Sequence, residues 1–285
     1  MGATLPTRGK RIDSLILVQL LPLGMIVTGV HWRDLVLCVF LYYLRMFFIS
    51  AAFHRYFSHR SYKMGRVMQF LMCLGGTTAL QSGMMLWVSS HRRHHKYSDT
   101  ERDPHSSRLG MWWSHMGWLL TGVQNKRSKK VIKEFSVYPE LMFLERYSYL
   151  TCALIVAPVL WLFGWSGVFA GFFLSTTLLF HGTFSINSLN HKYGTRRYDT
   201  GDMSTNNWFL AIVSMGEGWH NNHHHYQSST AQGFFKGEFD PSYRILKVLE
   251  KFGLVWDVSR PPPQALVRDL LNAPRIPETP ESKAS

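Results

Sequence analysis

Three short segments place eight histidines at spacings that suit metal coordination: HRYFSH (His54 to His59), HRRHH (His91 to His95) and HNNHH (His220 to His224). His191 is a ninth candidate. Neutral imidazole is the commonest protein ligand for transition metals, so this clustering makes a metal site the leading chemistry. On an α-helix, residues four apart lie nearly in line, while a residue three away falls on the other side of that line. His91 and His95 can therefore share one ion while His94 leans towards a second. The third box repeats the split, with His220 and His224 aligned and His223 diverging, as a pair of metals bridged by two helices would require. The first box differs, because a spacing of five cannot lie on one α-helical face. His59 must reach back from a turn or a distorted helix end to join His54. His31, His105, His115, His181 and His225 fall outside these spacings and are expected to be ordinary surface or core histidines.

Four apolar runs must carry these boxes. Ile12 to Val30 and Asp34 to Phe53 form one close pair, and Tyr149 to Phe163 and Trp165 to Ile186 form another. Each approaches or reaches the ~20 residues that span a bilayer as a helix. The expected architecture is all-α: an integral membrane protein with four transmembrane helices in two hairpins and a cytoplasmic helical cap holding a di-metal histidine site. Arg8, Lys10 and Arg11 precede the first run, a dense basic set lies between the second and third, and the connectors inside the hairpins are nearly uncharged. By the positive-inside rule, both termini and the active centre are cytoplasmic.

The net charge of +13 is thereby accounted for without nucleic acid, and no aromatic-and-basic recognition module accompanies it. The first run carries Pro22 and lacks a small-residue cleavage site, so it is expected to stay in the mature protein. Cys38, Cys73 and Cys152 show no CxxC spacing, which argues against a disulfide scaffold or a thiolate site. Gly167 and Gly171 make a GxxxG that fits close packing inside the bundle.

A single domain over 1–260 is expected, followed by a Pro-rich tail over 261–285 that is largely disordered beyond about Asn272. Met68 to Ser90 reads as one cap or interfacial helix leading into the second box. Ser242 to Phe252 reads as an amphipathic surface helix with Ile245, Leu246, Val248, Leu249 and Phe252 on its packed side.

A two-metal site of histidines at a membrane face suits few chemistries. Zinc hydrolysis would need an open position and a general base, whereas redox chemistry needs iron or copper and a path for electrons. An all-nitrogen pair differs from the Glu-rich di-iron sites of soluble bundles, yet it suits binding O2 between two irons. A substrate entering from the bilayer would be a lipid chain.

The boxes, together with HHKYSDTERDPHS (His94 to Ser106), GWLL (Gly117 to Leu120), NSLNHKYG (Asn187 to Gly194) and GEGWHNNHH (Gly216 to His224), resemble the membrane fatty-acyl desaturases of the stearoyl-CoA Δ9 class. The resemblance extends over almost everything from about residue 30 to 257. It implies two iron ions, with zinc a substitute on overexpression, and O2-dependent insertion of a cis double bond into a saturated acyl chain. It further implies that one iron takes His54, His59, His91, His95 and His223. The other would take His94, His191, His220 and His224, with Asn187 positioning a water. Asp99, Asp103 and Glu217 are candidates to fix imidazole tautomers.

The same resemblance asks for electrons from a separate donor, cytochrome b5 or a ferredoxin with its reductase. No haem-binding, iron–sulfur or dinucleotide segment is present in this sequence to replace it. The basic run Lys126, Arg127, Lys129, Lys130 and Lys133 could dock an acidic donor or lipid headgroups. The substrate tunnel is expected between the spans, with Tyr42, Tyr43 and Trp87 among its walls and Tyr42 or Tyr43 as its ruler. Acyl-CoA is the expected carrier from the wording of the boxes. However, Thr121, Gly122 and Val123 follow GWLL where the animal acyl-CoA enzymes have a basic pair, and Trp87-Val88-Ser89-Ser90 lacks their basic residue before the second box. CoA phosphates would then fall to Lys126, Arg127, Arg196 or Arg197, and acyl carrier protein or a phospholipid could use the same surface. A lipid or alkane hydroxylase with similar boxes and a metal-binding membrane transporter are the alternative functions. A bacterial inner membrane is the expected location over the endoplasmic reticulum.

Overall fold

A computed structural model describes residues 15–121 and 127–271. Arg8, Lys10, Arg11, Lys126 and the tail from Asn272 onward lie outside the described residues. The protein is mostly helical, with one two-stranded antiparallel sheet among the described residues.

Among the described residues, two helices are long and apolar enough to cross a membrane: α2 (Trp32–Ser58) and α8 (Leu150–His191). The four expected spans do not all appear as separate long helices. α1 (Leu15–Thr28) is apolar but only 14 residues long, about 21 Å. The third and fourth expected spans are one stretch, α8, broken at Gly164, where φ is 69° and ψ −166°. That backbone region is essentially restricted to glycine, and Gly29 (φ 72°, ψ −179°) occupies it again between α1 and α2. The chain folds back at Gly164, because Val159 before the break and Val168 and Phe172 after it join Leu41 of α2 in one apolar cluster. Gly171 is part of this close packing, since a Cβ there would lie 2.7 Å from Leu37.

Arg45, fully buried in α2, pins it to α8 by donating to Ser175 Oγ at 2.5 Å, Thr176 Oγ1 at 2.7 Å and the Phe172 carbonyl at 3.4 Å. A buried guanidinium is tolerated in such a place only when its donors are satisfied in this way.

The first histidine box sits where α2 changes character. From Phe48 to Ser58 the helix is π-helical, and the His59 N–H donates to the His54 carbonyl at 3.3 Å. This i→i+5 pattern brings residues five apart onto the same side, which an α-helix cannot do. The spacing of the first box thus matches a distorted helix end.

The expected single helix over Met68 to Ser90 is instead two, α3 (Arg66–Thr77) and α4 (Met84–Tyr97). Gly75 and Gly76 let α3 cross α2 closely, as a Cβ on either would lie within 2.4 Å of the Phe48 or Phe53 ring. The chain then turns sharply through Leu80 (φ 60°) and Ser82 (φ 84°). α4 restarts at Gly83, and the buried Glu145 carboxylate accepts from the Met85 N–H at 2.9 Å, satisfying one of the free donors of its first turn.

The remaining elements form the cap. They are α5 (111–120), α6 (Lys129–Phe135), α7 (Pro139–Arg146), α9 (Trp208–Val213), α10 (His220–His225), α11 (Pro241–Lys251) and α12 (Pro263–Val267), with β1 (Lys63–Met64) pairing β2 (Val255–Trp256). α11 occupies the expected amphipathic segment and is capped by the Asp240 side chain, which accepts from the Tyr243 N–H. Its packed side is narrower than the periodicity implied: Leu246 is buried and Leu249 half-buried, but Ile245, Val248 and Phe252 are exposed. The beginning of the Pro-rich tail is ordered as α12, and Leu270 bridges to Tyr198.

Candidate metal centre

α4 presents three histidines and the six-residue α10 presents three of its four. Their divergence follows the helical geometry. His91, His95 and His223 come together with His54 and His59, while His94 joins His191, His220 and His224. Within each group the ligand-capable atoms all lie within 4.8 Å of one another. In the first group, Nε2 of His54 lies 3.0 Å from that of His223, His59 2.8 Å from His91, and His223 3.0 Å from His95. In the second, Nε2 of His220 and His191 are 3.0 Å apart. Two nitrogens each bonded at ~2.1 Å to one ion with a right angle between them lie ~3.0 Å apart, so these separations suit a shared cation.

The opposite ring nitrogens are anchored to carboxylates. His191 Nδ1 contacts Asp99 at 2.8 Å, His94 Nδ1 contacts Asp103 at 2.9 Å, and His224 Nδ1 contacts Asp202 at 2.5 Å. His54 Nδ1 contacts Glu217. This is the arrangement by which a metal-binding histidine has its tautomer and ring orientation fixed, leaving Nε2 to face the ion. The Nε2 atoms of His94 and His224 are buried with no hydrogen-bond partner, an unusual state for polar atoms unless a cation faces them. The residues therefore fit a metal pair.

Electrostatics agree except at His94, where burial disfavours the charge but Asp103 outweighs it and raises the imidazole above its usual range. Burial, reinforced by mutual repulsion of neighbouring imidazoliums, pushes His59, His91, His95, His220 and His223 well below the usual histidine range, so they are neutral donors at physiological pH. Burial likewise lowers His224 to about 4, against the pull of Asp202. Burial opposes ionisation of Asp99, Asp103 and Asp202, but their histidine partners outweigh it and hold all three below the ordinary carboxylate range. Glu217 is held at about 2 in the same manner by His54 and Arg55, despite its burial.

Sequence reasoning named Asp99, Asp103 and Glu217 but missed Asp202, which sits on the loop after α8 far from any box. It also missed Gln232, which donates to Glu217 at 2.8 Å, and the two asparagines inside the third box. Asn221 Oδ1 accepts from the Arg197 and Tyr198 N–H groups at 2.8 Å each, and Asn222 Oδ1 accepts from Asn206 Nδ2 at 2.8 Å. These bonds hold the short α10 in place, and their signal was their position between ligand histidines. Gly218 serves the same end, because a Cβ there would lie 2.0 Å from the Ala211 nitrogen and 2.5 Å from the Asn207 oxygen. Gly218→Ala must push α9 and α10 apart, and it is expected to lower both metal content and thermal midpoint. Metal analysis of the purified variant checks this.

The histidines outside the boxes have other partners. His31 begins α2, where the Asp34 carboxylate accepts from its N–H at 3.0 Å. His115 and His181 pair with each other at 2.9 Å, and His225 stacks on Tyr198 at 3.8 Å. His105 is the exception to the expectation of an ordinary residue. It is buried against His94, grouped with Asp103, and faces a cavity.

That cavity, of about 190 Å³, runs past Trp87, His91, His105, Trp118, Phe180, Phe184 and Asn187, and Leu15 and Val18 of α1 also line it. Among the described residues, no Lys, Arg, Asp or Glu lines it. Gln81 donates across its wall to Thr183 Oγ1 at 2.8 Å. Trp87 lines the cavity, stacked on His91, but Tyr42 and Tyr43 do not. Tyr42 is instead buried with its hydroxyl bonded to the Val213 carbonyl at 2.9 Å. Asn187 borders the cavity, half-buried, one helical turn before His191.

Comparison with known proteins bears on this constellation. The fatty acid desaturase family model matches residues 31–229. The sn-1 stearoyl-lipid 9-desaturase of Anabaena variabilis is 39% identical over 211 residues, covering 74% of this chain and 78% of its own. The acyl-CoA C20 Delta5-desaturase of Anemone leveillei is 38% identical over 241 residues, covering 81% and 75%. The sn-2 palmitoyl-lipid 9-desaturase of Nostoc sp. is 36% identical over 240 residues, covering 82% and 84%.

Proposed function

This chain belongs to the fatty acid desaturase family and is an oxidoreductase that introduces a double bond into a fatty acyl chain; from that premise we propose a two-iron Δ9 desaturase of membrane-embedded chains. One observation carries the reading: two groups of convergent imidazoles lie beside an uncharged cavity that touches them at His91. His54, His59, His91, His95 and His223 would hold one ion and His94, His191, His220 and His224 the other, with Asn187 directing a water to the second. Iron there would supply the O2 chemistry that removes hydrogen from an unactivated methylene pair. The chain's own residues do the remainder. Asp99, Asp103, Asp202 and Glu217 hold the Nδ1 protons, and Trp87, Phe180 and Phe184 exclude water around an apolar substrate.

The glycine breaks at 29 and 164 support a four-span arrangement of two hairpins, with the cap on the cytoplasmic side of a bacterial inner membrane. The two electrons would come from an external carrier, cytochrome b5 or a ferredoxin.

For the acyl carrier, a specific observation favours a glycerolipid over the acyl-CoA expected from the box wording. Of the cations named for CoA phosphates, Arg127 is committed to buried Glu145 at 2.8 Å and Arg197 to Glu238 at 2.6 Å, Arg196 is exposed with Asp199 4.0 Å away, and Lys126 lies outside the described residues. Among the described residues the cavity is lined by no Lys or Arg, and Leu15 and Val18 of the apolar α1 are part of its wall.

Labelled stearoyl phospholipid, stearoyl-CoA and stearoyl carrier protein, offered in parallel to the reconstituted enzyme with a reduced donor, should give a Δ9 alkene from the phospholipid. Turnover of a thioester alone would restore the CoA reading. An alcohol in place of the alkene would replace the desaturase with a hydroxylase.

A further inference from the structure

We propose that the groove lined by Phe235, Lys236, Tyr243, Arg244 and Arg260 is the docking surface for an acidic one-electron carrier protein. The inference rests on the desaturase reading, whose electron balance requires such a partner. Breaking two C–H bonds to form the alkene releases two electrons and two protons. Reducing O2 to two waters takes four of each, so two electrons and two protons come from outside the chain, the electrons from two reduced carriers in turn.

The groove offers charge that is not neutralised from within. Lys236, Arg244 and Arg260 are exposed and have no carboxylate partner among the described residues. Arg244 stands over the Phe239 ring at 4.5 Å, and Arg260 donates to the Phe234 carbonyl at 2.7 Å. The two acids of the groove face inward. Glu238 binds Arg197 and the Phe234 N–H, while Asp240 binds Arg55 at 2.9 Å and the Gln232 N–H at 2.8 Å. The surface left to solvent is therefore cationic and carries two exposed aromatic rings, Phe235 at 40% and Phe239 at 42%. An acidic partner fits this combination, since complementary charge steers encounter and aromatic contacts hold it.

Hydrogen bonds also connect the groove towards both histidine groups. The Phe239 carbonyl accepts from Trp219 Nε1 at 2.9 Å, and Trp219 immediately precedes His220. Gln232, next to Gly233 of the groove, donates to Glu217, which holds His54. These contacts link the groove to a residue beside His220 and to the carboxylate that holds His54. The basic run Lys129, Lys130 and Lys133 on α6 is exposed too, but from it Glu134 reaches Arg92 at 2.6 Å and Arg60 at 2.8 Å, neighbours of His91 and His59 in one histidine group, whereas the groove connects to both.

The test is a titration of the full-length protein, in nanodiscs of zwitterionic lipid, with oxidised [2Fe–2S] ferredoxin and separately with cytochrome b5, at low and physiological salt. Lys236→Glu/Arg244→Glu leaves the internal hydrogen bonds of Arg260 intact. It is expected to weaken binding about tenfold or more and to flatten the salt dependence, with iron content unchanged. Lys129→Glu/Lys130→Glu/Lys133→Glu is expected to bind like the wild type. The proposal is overturned if the α6 variant is the one that loses affinity, or if neither carrier binds the wild type at low salt. It is equally overturned if the groove variant keeps wild-type carrier affinity and salt dependence. Absence of any alkene from the wild type with a reduced carrier would instead remove the desaturase reading, a separate outcome from the binding result.

Discussion

His94→Ala is expected to leave about one metal ion per chain in place of two and to lower desaturation by roughly a thousandfold or more, and His95→Ala is expected to do the same from the other side. The two residues are neighbours in sequence, yet α4 sends their rings to different groups. A spectroscopic count of nitrogen ligands at the surviving ion should therefore differ between the variants. Removing His94 leaves the group of five histidines intact, and removing His95 leaves the group of four. Iron analysis by plasma emission and X-ray absorption on each purified variant make the comparison. Two ions retained in His94→Ala, or the same surviving ligand set in both variants, would show that the rings do not belong to separate sites.

That division was legible in the sequence because it depends only on helical periodicity over four residues, a local property. The same holds for the apolar runs and for the five-residue spacing of the first box, which demanded a departure from α geometry and found it in the π-helical end of α2. Features set by long-range approach were not legible. The close crossing of α3 over α2 rests on glycines packed under Phe48 and Phe53, residues some 25 positions away along the chain, and the break before α4 on the left-handed backbone of Leu80 and Ser82. Tyr42 was expected at the chain end of the tunnel because it is a bulky span residue. Its hydroxyl is instead claimed by Val213, 171 residues downstream. Asp202 lies 22 residues from the histidine it orients, with no spacing rule to connect them. The fourth carboxylate, Glu217, could be guessed from its place in GEGWH, but not its second duty towards Arg55 and Ser50.

Asp202→Ala is expected to weaken metal binding in the His94, His191, His220 and His224 group by about 10- to 100-fold while leaving the five-histidine group at full occupancy. The two groups are not supported alike. Three of the four histidines in the smaller group have a carboxylate on Nδ1, whereas Glu217 is the one carboxylate seen on the larger, at His54. Such partners raise ligand basicity and fix ring orientation, and their loss costs that range in affinity. Asp202 is the informative position because its own support is local. Thr200 Oγ1 at 2.7 Å and the Ser204 N–H at 2.9 Å hold the carboxylate on its loop, so truncation frees the His224 ring without opening the core. Glu217 would confound the measurement. Its removal leaves fully buried Arg55 with Asp240 alone, and breaking a buried ion-pair network of that kind costs about 3–5 kcal/mol of stability. Titrating iron into metal-stripped Asp202→Ala should give one site of wild-type affinity and one weakened. Asp202→Asn, which keeps an oxygen able to accept from Nδ1 but loses the charge, should fall between that variant and the wild type. Equal weakening of both sites in Asp202→Ala, or none, would mean that the carboxylate–histidine contacts do not control metal affinity in this protein.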